Sequence, residues 1–522
     1  MFTNNYKFVS AALLAVMVSF MASCVDNLNT SPLDDDVVTS EAVYETPEDY
    51  RQVLAKLYAG FAATGQQGPA GNPDIQGIDE GFSSYIRQFW VTQEIPTDEA
   101  VVAWTDPGLP DFNYQSWGAS NDFVMGMYSR IFYEITLTNE FIRNAKDNEN
   151  STVQNYNAEA RFLRALSYWH ALDLYGGGIP FVTEEDGVGV YNPGPASSDS
   201  VFSYIESELL AIESQLPAPG QNEYGRANQA AAWTLLAKLY LNAEVYTDEQ
   251  RYGDALEYAD KVIESGTYTL EESYQNLFLA DNHTANGIIF PITFDGEHTK
   301  TFGGTNFIVH AAVGGDMSAS AFGIDGGWAG HRVTPQFVEK FDQENDSRAM
   351  FFTEGQELEI ENVEDFRQGY AITKWKNITA DGQPGSFPEF VDIDFPMFRL
   401  ADVYLIYAEA VARGAEGGNT GKAVDLVNQI RERAFGNASH NITAAELTPE
   451  FILDERAREL YWEGHRRTDL IRYGYFTTSD YVWAWKGGVQ EGAATDAHYR
   501  LYPIPASEVN SNTNLEQNPG YQ

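Results

Sequence analysis

Residues 158–180, AEARFLRALSYWHALDLYGGGIP, constrain this chain more than any other stretch. Wound as a helix, they gather Phe162, Leu163, Ala165, Leu166, Trp169, Leu172 and Leu174 on one very broad apolar arc, and Tyr168, Ala171 and Tyr175 soften the remaining side. A helix that is apolar around most of its circumference needs neighbours on most sides. Ala165 and Ala171 let another helix come close. Gly176-Gly177-Gly178 followed by Pro180 ends the run, because glycine accepts a left-handed cap and proline cannot continue a helix. The stretch predicts the inner helix of a helical stack. His170 and Asp173 interrupt the arc and are expected to hydrogen-bond the adjacent loop, since buried polar groups find partners.

Helical periodicity also predicts helices over 46–61, 122–145, 201–216, 227–243, 252–265, 400–413, 422–434 and 451–473. Ala230, Trp233, Ala237 and Tyr240 followed by Ala255, Leu256, Ala259 and Ile263 alternate small and large residues as a tetratricopeptide helix pair does. A second pair sets Val403, Tyr404, Tyr407 and Val411 against Leu426, Val427 and Ile430. The reading is a mostly α fold, a tetratricopeptide-repeat-like scaffold with its repeats mainly in 122–265 and 397–473, each pair burying its apolar face on its neighbours. Two regions interrupt it. In 65–117 the helical period is lost among Gly, Pro, Asp and Trp, and 267–396 reads as a loop-rich insertion with a few short strands. Arg456, Arg458, Arg466, Arg467 and Arg472 crowd the last helix, where they are expected to pair with internal carboxylates.

Charge removes whole classes of partner. Among 522 residues, 76 are acidic and 32 basic, a net charge of −44. Nucleic acid and anionic membrane surfaces both require a basic footprint, so neither is a partner. At the start, Lys7, an apolar run over 8–21 and Ala22-Ser23 have the order of a secretory leader over 1–23. Cys24, the single cysteine, admits no internal disulfide and reads as a lipoprotein acylation site, with 24–40 as a lipidated leash ahead of a 41–522 domain. No HExxH, CxxC, GxSxG or Walker pattern occurs, and pairs such as Asp79-Glu80 and Asp98-Glu99 arise readily by chance in so acidic a chain. Neither catalysis nor a cofactor is expected. Trp90, Trp104, Trp117, Phe302 and Trp328 instead lie in the loop regions without helical period, and flat rings among sparse polar groups suit the apolar faces of sugars. Two rival readings are a secreted helical glycosidase using loop carboxylates and a tetratricopeptide adaptor gripping a peptide.

Several motifs together carry a resemblance: the SC leader with its acidic leash, RFLRALSYWHALDLYGGGIP, YGRANQAAAWTLLAKLYLNA, FRLADVYLIYAEA, ELYWEGHRRTDLIRYG and YPIPASEVNSNTNLEQNPGY. Across essentially the whole chain they resemble the SusD/RagB family of Bacteroidetes outer-membrane lipoproteins. PDIQGIDEG, EIPTDEAVVAW, TFGGTNF, DGGW and YVWAWKGG are most similar to its starch-binding branch. The resemblance implies a non-catalytic, cell-surface glycan-binding protein, anchored in the outer membrane through lipid on Cys24, that lies as a lid on a SusC-like TonB-dependent transporter. For the starch branch it implies an arc of three rings on Trp104, Phe302 and Trp328, polar contacts from Asp79 and Arg87, and an α-glucan such as starch, glycogen or maltooligosaccharide. Phe302 lacks the tyrosine hydroxyl of that branch, and Pro107 replaces its asparagine three residues past the first tryptophan. The same family resemblance leaves a β-glucan such as laminarin open.

Overall fold

The structure is a computed structural model that describes residues 43–69, 71–189 and 192–521; the leader, Cys24 and the 24–40 leash lie outside the described residues. Two compact units are distinguished, residues 1–50 and 51–522. In the first, the backbone N–H of Thr46 donates to the Asp49 carboxylate at 2.8 Å and that of Asp49 to the Thr46 hydroxyl at 3.4 Å, a reciprocal cap at the start of α1 (Pro47–Ala62).

The second unit carries α2 (Tyr85–Glu94), α3 (Pro110–Tyr114), α4 (Asp122–Ala145), α5 (Ser151–Tyr175), α6 (Ser198–Ile212), α7 (Gln229–Leu241), α8 (Ala243–Thr247) and α9 (Tyr252–Glu264). After the insertion, which contains α10 (Gly304–Ala312) and α11 (Pro335–Val338), follow α12 (Leu400–Ala412), α13 (Thr420–Phe435), α14 (Pro449–Leu460), α15 (Arg466–Arg472) and α16 (Ala506–Ser511). The helices stack in a continuous path: α4 on α5, α5 on α6, α6 on α7, α7 on α9, α9 on α12 and α12 on α13. The two repeat pairs read from the sequence are therefore neighbours in space, although the insertion separates them in the chain. Antiparallel strands β2 (Ile288–Ile292) and β4 (Phe395–Arg399) close the neck of that excursion and return the chain to α12.

Helix α5 is the inner helix the sequence predicts, but it begins at Ser151, capped by the Asn150 side chain, seven residues before the apolar stretch. Gly176, at φ 70°, ends it. His170 and Asp173 bond distant elements and not the adjacent loop: His170 meets the Tyr85 hydroxyl at 2.8 Å, and Asp173 accepts from Gln93, Tyr246, Arg467 and Thr468.

Two further corrections concern the loop regions and the last helix. The 65–117 region contains α2, in which every residue but Arg87 is buried. A helix covered on all faces shows no polar stripe, and its Gln88, Thr92, Gln93 and Glu94 disguise it as a polar loop. For the same reason α10, buried throughout, escapes notice within 267–396. The single helix expected over 451–473 is two helices, α14 and α15, broken at 461–465. Trp462 takes φ 63° and Gly464 φ 82° there; a side chain at Gly464 would begin 2.2 Å from the Phe89 ring. Carboxylates from α2 and the following turn replace the helical acceptors: Glu94 takes the N–H groups of Gly464 and His465, and Glu99 that of Trp462.

The arginines of α14 and α15 do pair with internal carboxylates, Arg456 with Asp402 and Asp469, Arg458 with Glu455, Arg466 with Asp98, Arg467 with Asp173 and Arg472 with Glu409. A second cluster joins the insertion to α14. Arg348 bonds Glu455 at 2.8 Å, Arg399 bonds Glu459 at 2.7 Å, and Lys374 bonds Glu463 at 2.7 Å, all with side chains almost wholly excluded from solvent. Removing one partner of such a pair strands a buried charge, at a cost of about 3–5 kcal/mol. Arg399→Met is accordingly expected to lower unfolding free energy by about that amount in chemical denaturation; an unchanged denaturation midpoint would refute the role given to this cluster.

The buried carboxylates also set a pH dependence. Burial lifts Glu94 to about 7, and burial beside Glu94 lifts Glu99 well above its ordinary value of 4.5. Two neighbouring buried carboxyls repel when both are charged, so at least one is protonated at neutral pH. Their contribution to stability is complete below 4.5 and is lost as pH rises through 7 and beyond. Glu409 and Glu459 act oppositely. Against burial, Arg472 and Arg413 hold the first at about 2, and Arg433, Arg399 and Arg348 hold the second there, so their contribution exists above 4.5 and vanishes as pH falls through 2. The melting temperature is expected to decline from mildly acidic toward alkaline pH, and Glu99→Gln, which removes the charge and keeps an oxygen for the Trp462 N–H, to flatten that decline in a pH series of thermal melts.

Candidate functional site

Strand β1 (Val101–Val102) pairs antiparallel with β3 (His331–Arg332), Val101 opposite Arg332 and Val102 opposite His331. The ladder continues with the Ala103 N–H donating to the Gly330 carbonyl at 2.8 Å. Trp104 thus emerges beside the chain that leads from Trp328. Its indole N–H donates to the Trp328 carbonyl at 2.9 Å, and its ring crosses Gly330, where a Cβ would lie 2.5 Å from it. Trp328 is held in turn by α10: its N–H donates to the His310 carbonyl at 2.8 Å, and its ring stacks on the His310 imidazole at 4.8 Å and 24°. The two indoles stand 6.4 Å apart, inclined at 46°, each half-buried. Behind Trp104 lie His331 at 5.2 Å and Phe307 at 6.0 Å.

Phe302, also half-buried, sits just ahead of α10, its ring 5.6 Å from Phe390. Arg87, the one α2 residue that is not fully buried, links the parts. Its guanidinium lies 4.3 Å from the Phe307 ring centre and donates to the carbonyls of Gly81 at 2.9 Å and Phe302 at 3.1 Å. Burial lowers it to about 10, opposed by the charges of Asp106 and Asp79. Its Nε–H has no partner among the described residues. Asp79 is exposed and turns one oxygen to the Gly81 N–H at 2.7 Å. The contacts run from Trp328 through Trp104, Phe307 and Arg87 to the Phe302 carbonyl and, through Gly81, to Asp79, so the five sequence-chosen residues belong to one connected neighbourhood.

Other residues of this surface escape the sequence reading. Phe390 carries the ring series on to Phe387, 6.0 Å away and nearly parallel, with the Lys300 ammonium 4.7 Å from the Phe387 ring centre. The criterion that singles out Trp104, a ring in a Gly- and Pro-rich loop, applies equally to Phe387 in SFPEF. His310 and Phe307 gave no such signal because α10 itself is concealed. Conversely, Trp90 and Trp117 are core, 0% and 1% exposed; Trp90 packs on Trp462 and His331, and Trp117 donates to the Tyr521 hydroxyl. Asp98 and Glu99 are buried and engaged with Arg466 and the 461–465 turn, which removes them from contact with a polysaccharide. Among the described residues no cluster of His, Cys, Asp and Glu has the makings of a metal centre, and no helix is long and apolar enough to cross a membrane.

A helical-repeat scaffold whose two loop-rich regions together present inclined, half-buried indoles defines the class. Comparison with known proteins agrees. The family model described as "SusD family" matches residues 359–521, and one described as "Starch-binding associating with outer membrane" matches 34–241. The starch-binding protein SusD of Bacteroides thetaiotaomicron is 35% identical, with 98% of each chain covered, and the SusD-like protein P25 of Formosa agariphila is 24% identical over 96% of this chain and 97% of its own. Among solved structures, a SusD homolog from Bacteroides thetaiotaomicron superposes with a TM-score of 0.74 at 19% identity, covering 93% of this chain and 99% of that one. Surface glycan-binding protein A from the same organism, in complex with laminarihexaose, gives 0.69 at 19% identity, covering 90% and 99%. The chain belongs to the SusD family.

Gly330→Val tests the platform's construction directly. The added branch is expected to push the Trp104 ring outward, raising acrylamide quenching of tryptophan fluorescence while far-ultraviolet circular dichroism stays unchanged; unaltered quenching would contradict the packing described.

Proposed function

We propose that this protein is a non-catalytic cell-surface receptor that captures an α-glucan, starch, glycogen or their maltooligosaccharides, and delivers it to a SusC-like TonB-dependent transporter. The observation that carries this reading is the Trp104 and Trp328 pair, two half-buried indoles 6.4 Å apart and inclined at 46°. Successive sugars of a curved glucan chain present their flat faces at such an angle, and an indole gives each a broad contact. Phe302 extends the arc, the exposed Asp79 carboxylate supplies an acceptor for hydroxyls, and Arg87 steadies the edge of the platform by donating to the Gly81 and Phe302 carbonyls. The relative with 35% identity bears the name starch-binding protein, which supports the α-glucan. In this reading Cys24 carries the lipid that holds the chain at the outer membrane, residues 1–23 are the leader cleaved off on the N-terminal side of Cys24, and 24–40 are the leash.

Affinity electrophoresis of the detergent-solubilised full chain in gels containing amylopectin, glycogen or laminarin tests the proposal. Retardation by amylopectin and glycogen alone is expected. Retardation by laminarin alone would discard the α-glucan and point to Phe302 and Pro107 as the altered positions, whereas release of reducing sugar would revive a hydrolase. In titration with maltotriose, Trp104→Ala combined with Trp328→Ala is expected to weaken binding at least about 100-fold, roughly the loss of two aromatic contacts. Undiminished affinity would sink the proposed site.

A further inference from the structure

A cleft of about 330 Å³ opens on the outer side of α1, away from the two indoles in the chain but close to Phe302. Its floor is the helix face Leu54, Ala55, Tyr58 and Ala59, where small side chains leave room against the backbone. One wall is Tyr224, a large ring with 48% of its surface exposed. That ring is fixed, not loose: its hydroxyl donates to the buried Asp394 at 2.7 Å, its edge meets His283 at 6.3 Å, and Asp394 also accepts the Phe294 N–H at 2.8 Å. Thr293 and Thr299 form the facing wall, and Gly225 lets Thr293 close in, since a Cβ at Gly225 would lie 2.8 Å from its methyl.

The polar rim is balanced in charge. Arg51 donates to both oxygens of Glu223 at 3.1 and 3.2 Å, and Arg226 donates to Glu223 at 3.1 Å and to the buried Glu159 at 3.0 Å. A charged ligand would have to break these pairs. A neutral polyhydroxyl ligand gains both donors and acceptors from them, together with the threonine hydroxyls and the open face of a rigid tyrosine.

From these features we infer that the cleft is a second glycan-binding site, accepting a neutral oligosaccharide against the Tyr224 ring. The inference rests on the reading of the indole surface as a glycan platform. Thr299 stands three residues before Phe302, so their Cα atoms are at most about 11 Å apart. A glucan strand that leaves the platform past Phe302 therefore reaches the cleft, and one polymer engages both sites. Such bivalent engagement raises the apparent affinity for long chains without changing that for short ones.

The experiment compares maltotriose, maltoheptaose and amylopectin binding to the full chain, to Tyr224→Ala and to Ala55→Trp, which fills the cleft from an exposed position and leaves the Tyr224–Asp394 bond intact. Both variants are expected to bind maltoheptaose and amylopectin about tenfold more weakly, with maltotriose affinity unchanged in both and melting temperature unchanged in Ala55→Trp. Tyr224→Phe, which keeps the ring, is expected to retain more than half of the long-chain advantage. In the Trp104→Ala, Trp328→Ala chain, residual retardation by amylopectin is expected and Ala55→Trp abolishes it. Unchanged long-chain affinity in Ala55→Trp overturns the second site while leaving the platform standing. A parent chain that binds none of the three sugars overturns the platform and this inference together.

Discussion

Five buried residues of one short stretch hold the two halves of this protein's second unit together: Glu455 and Glu459 on α14, Trp462 and Glu463 in the break, and Arg466 at the start of α15. The first two and Glu463 receive Arg348, Lys374 and Arg399 from the insertion, while Trp462 and Arg466 receive Glu99 and Asp98 from the turn after α2. Charges removed from water are tolerable only when paired and hydrogen-bonded, so each pair fixes its partners to within hydrogen-bond distance. An insertion of short strands and loops has little core of its own. Here it acquires a fixed position because its cations answer carboxylates on the helical scaffold.

That position builds the aromatic surface. The turn held by Glu94, Glu99 and Asp98 leads straight into β1, β1 pairs with β3, and the pairing brings Trp104 beside the chain from Trp328. Helix α2 simultaneously packs on α4, α10 and α15, presenting Arg87 to Phe302 and Phe307. Only the outermost atoms of this assembly meet solvent. The indoles are thus set by backbone hydrogen bonds and by stacking on His310, His331 and Phe307, which leaves their exposed faces preorganised at a fixed inclination. A rigid surface of this kind suits a polymer that offers many equivalent segments. A second cleft three residues of chain away from Phe302 would lengthen the hold on the polymer without deepening either site.

Much of the scaffold was legible in the residues. Helix 122–145 is found at α4 with both ends as read, and the pairs at 227–265 and 400–434 stack as the alternation of small and large residues requires. The crowded arginines found their carboxylates, since a strongly acidic chain offers each buried guanidinium an acceptor. What escaped was whatever is buried on every side. Helices α2 and α10 carry no polar stripe, and Trp90 and Trp117 look in sequence like Trp104 although they are wholly core. Phe387 was within reach of the same rule that chose Trp104.

By itself the sequence determined the class of fold, the helical repeats with an insertion between them, and the chemical character of the loop residues, because periodicity and composition are local properties. It determined the absence of any internal disulfide as well, through its single cysteine. Tertiary structure decided the rest: that 449–473 breaks in two, which tryptophans face water, and the inclination of Trp104 to Trp328. Those outcomes depend on partners tens to hundreds of residues away, Glu99 on Trp462 and Gly330 on Trp104, and no local pattern encodes which distant carboxylate or carbonyl a buried N–H will meet.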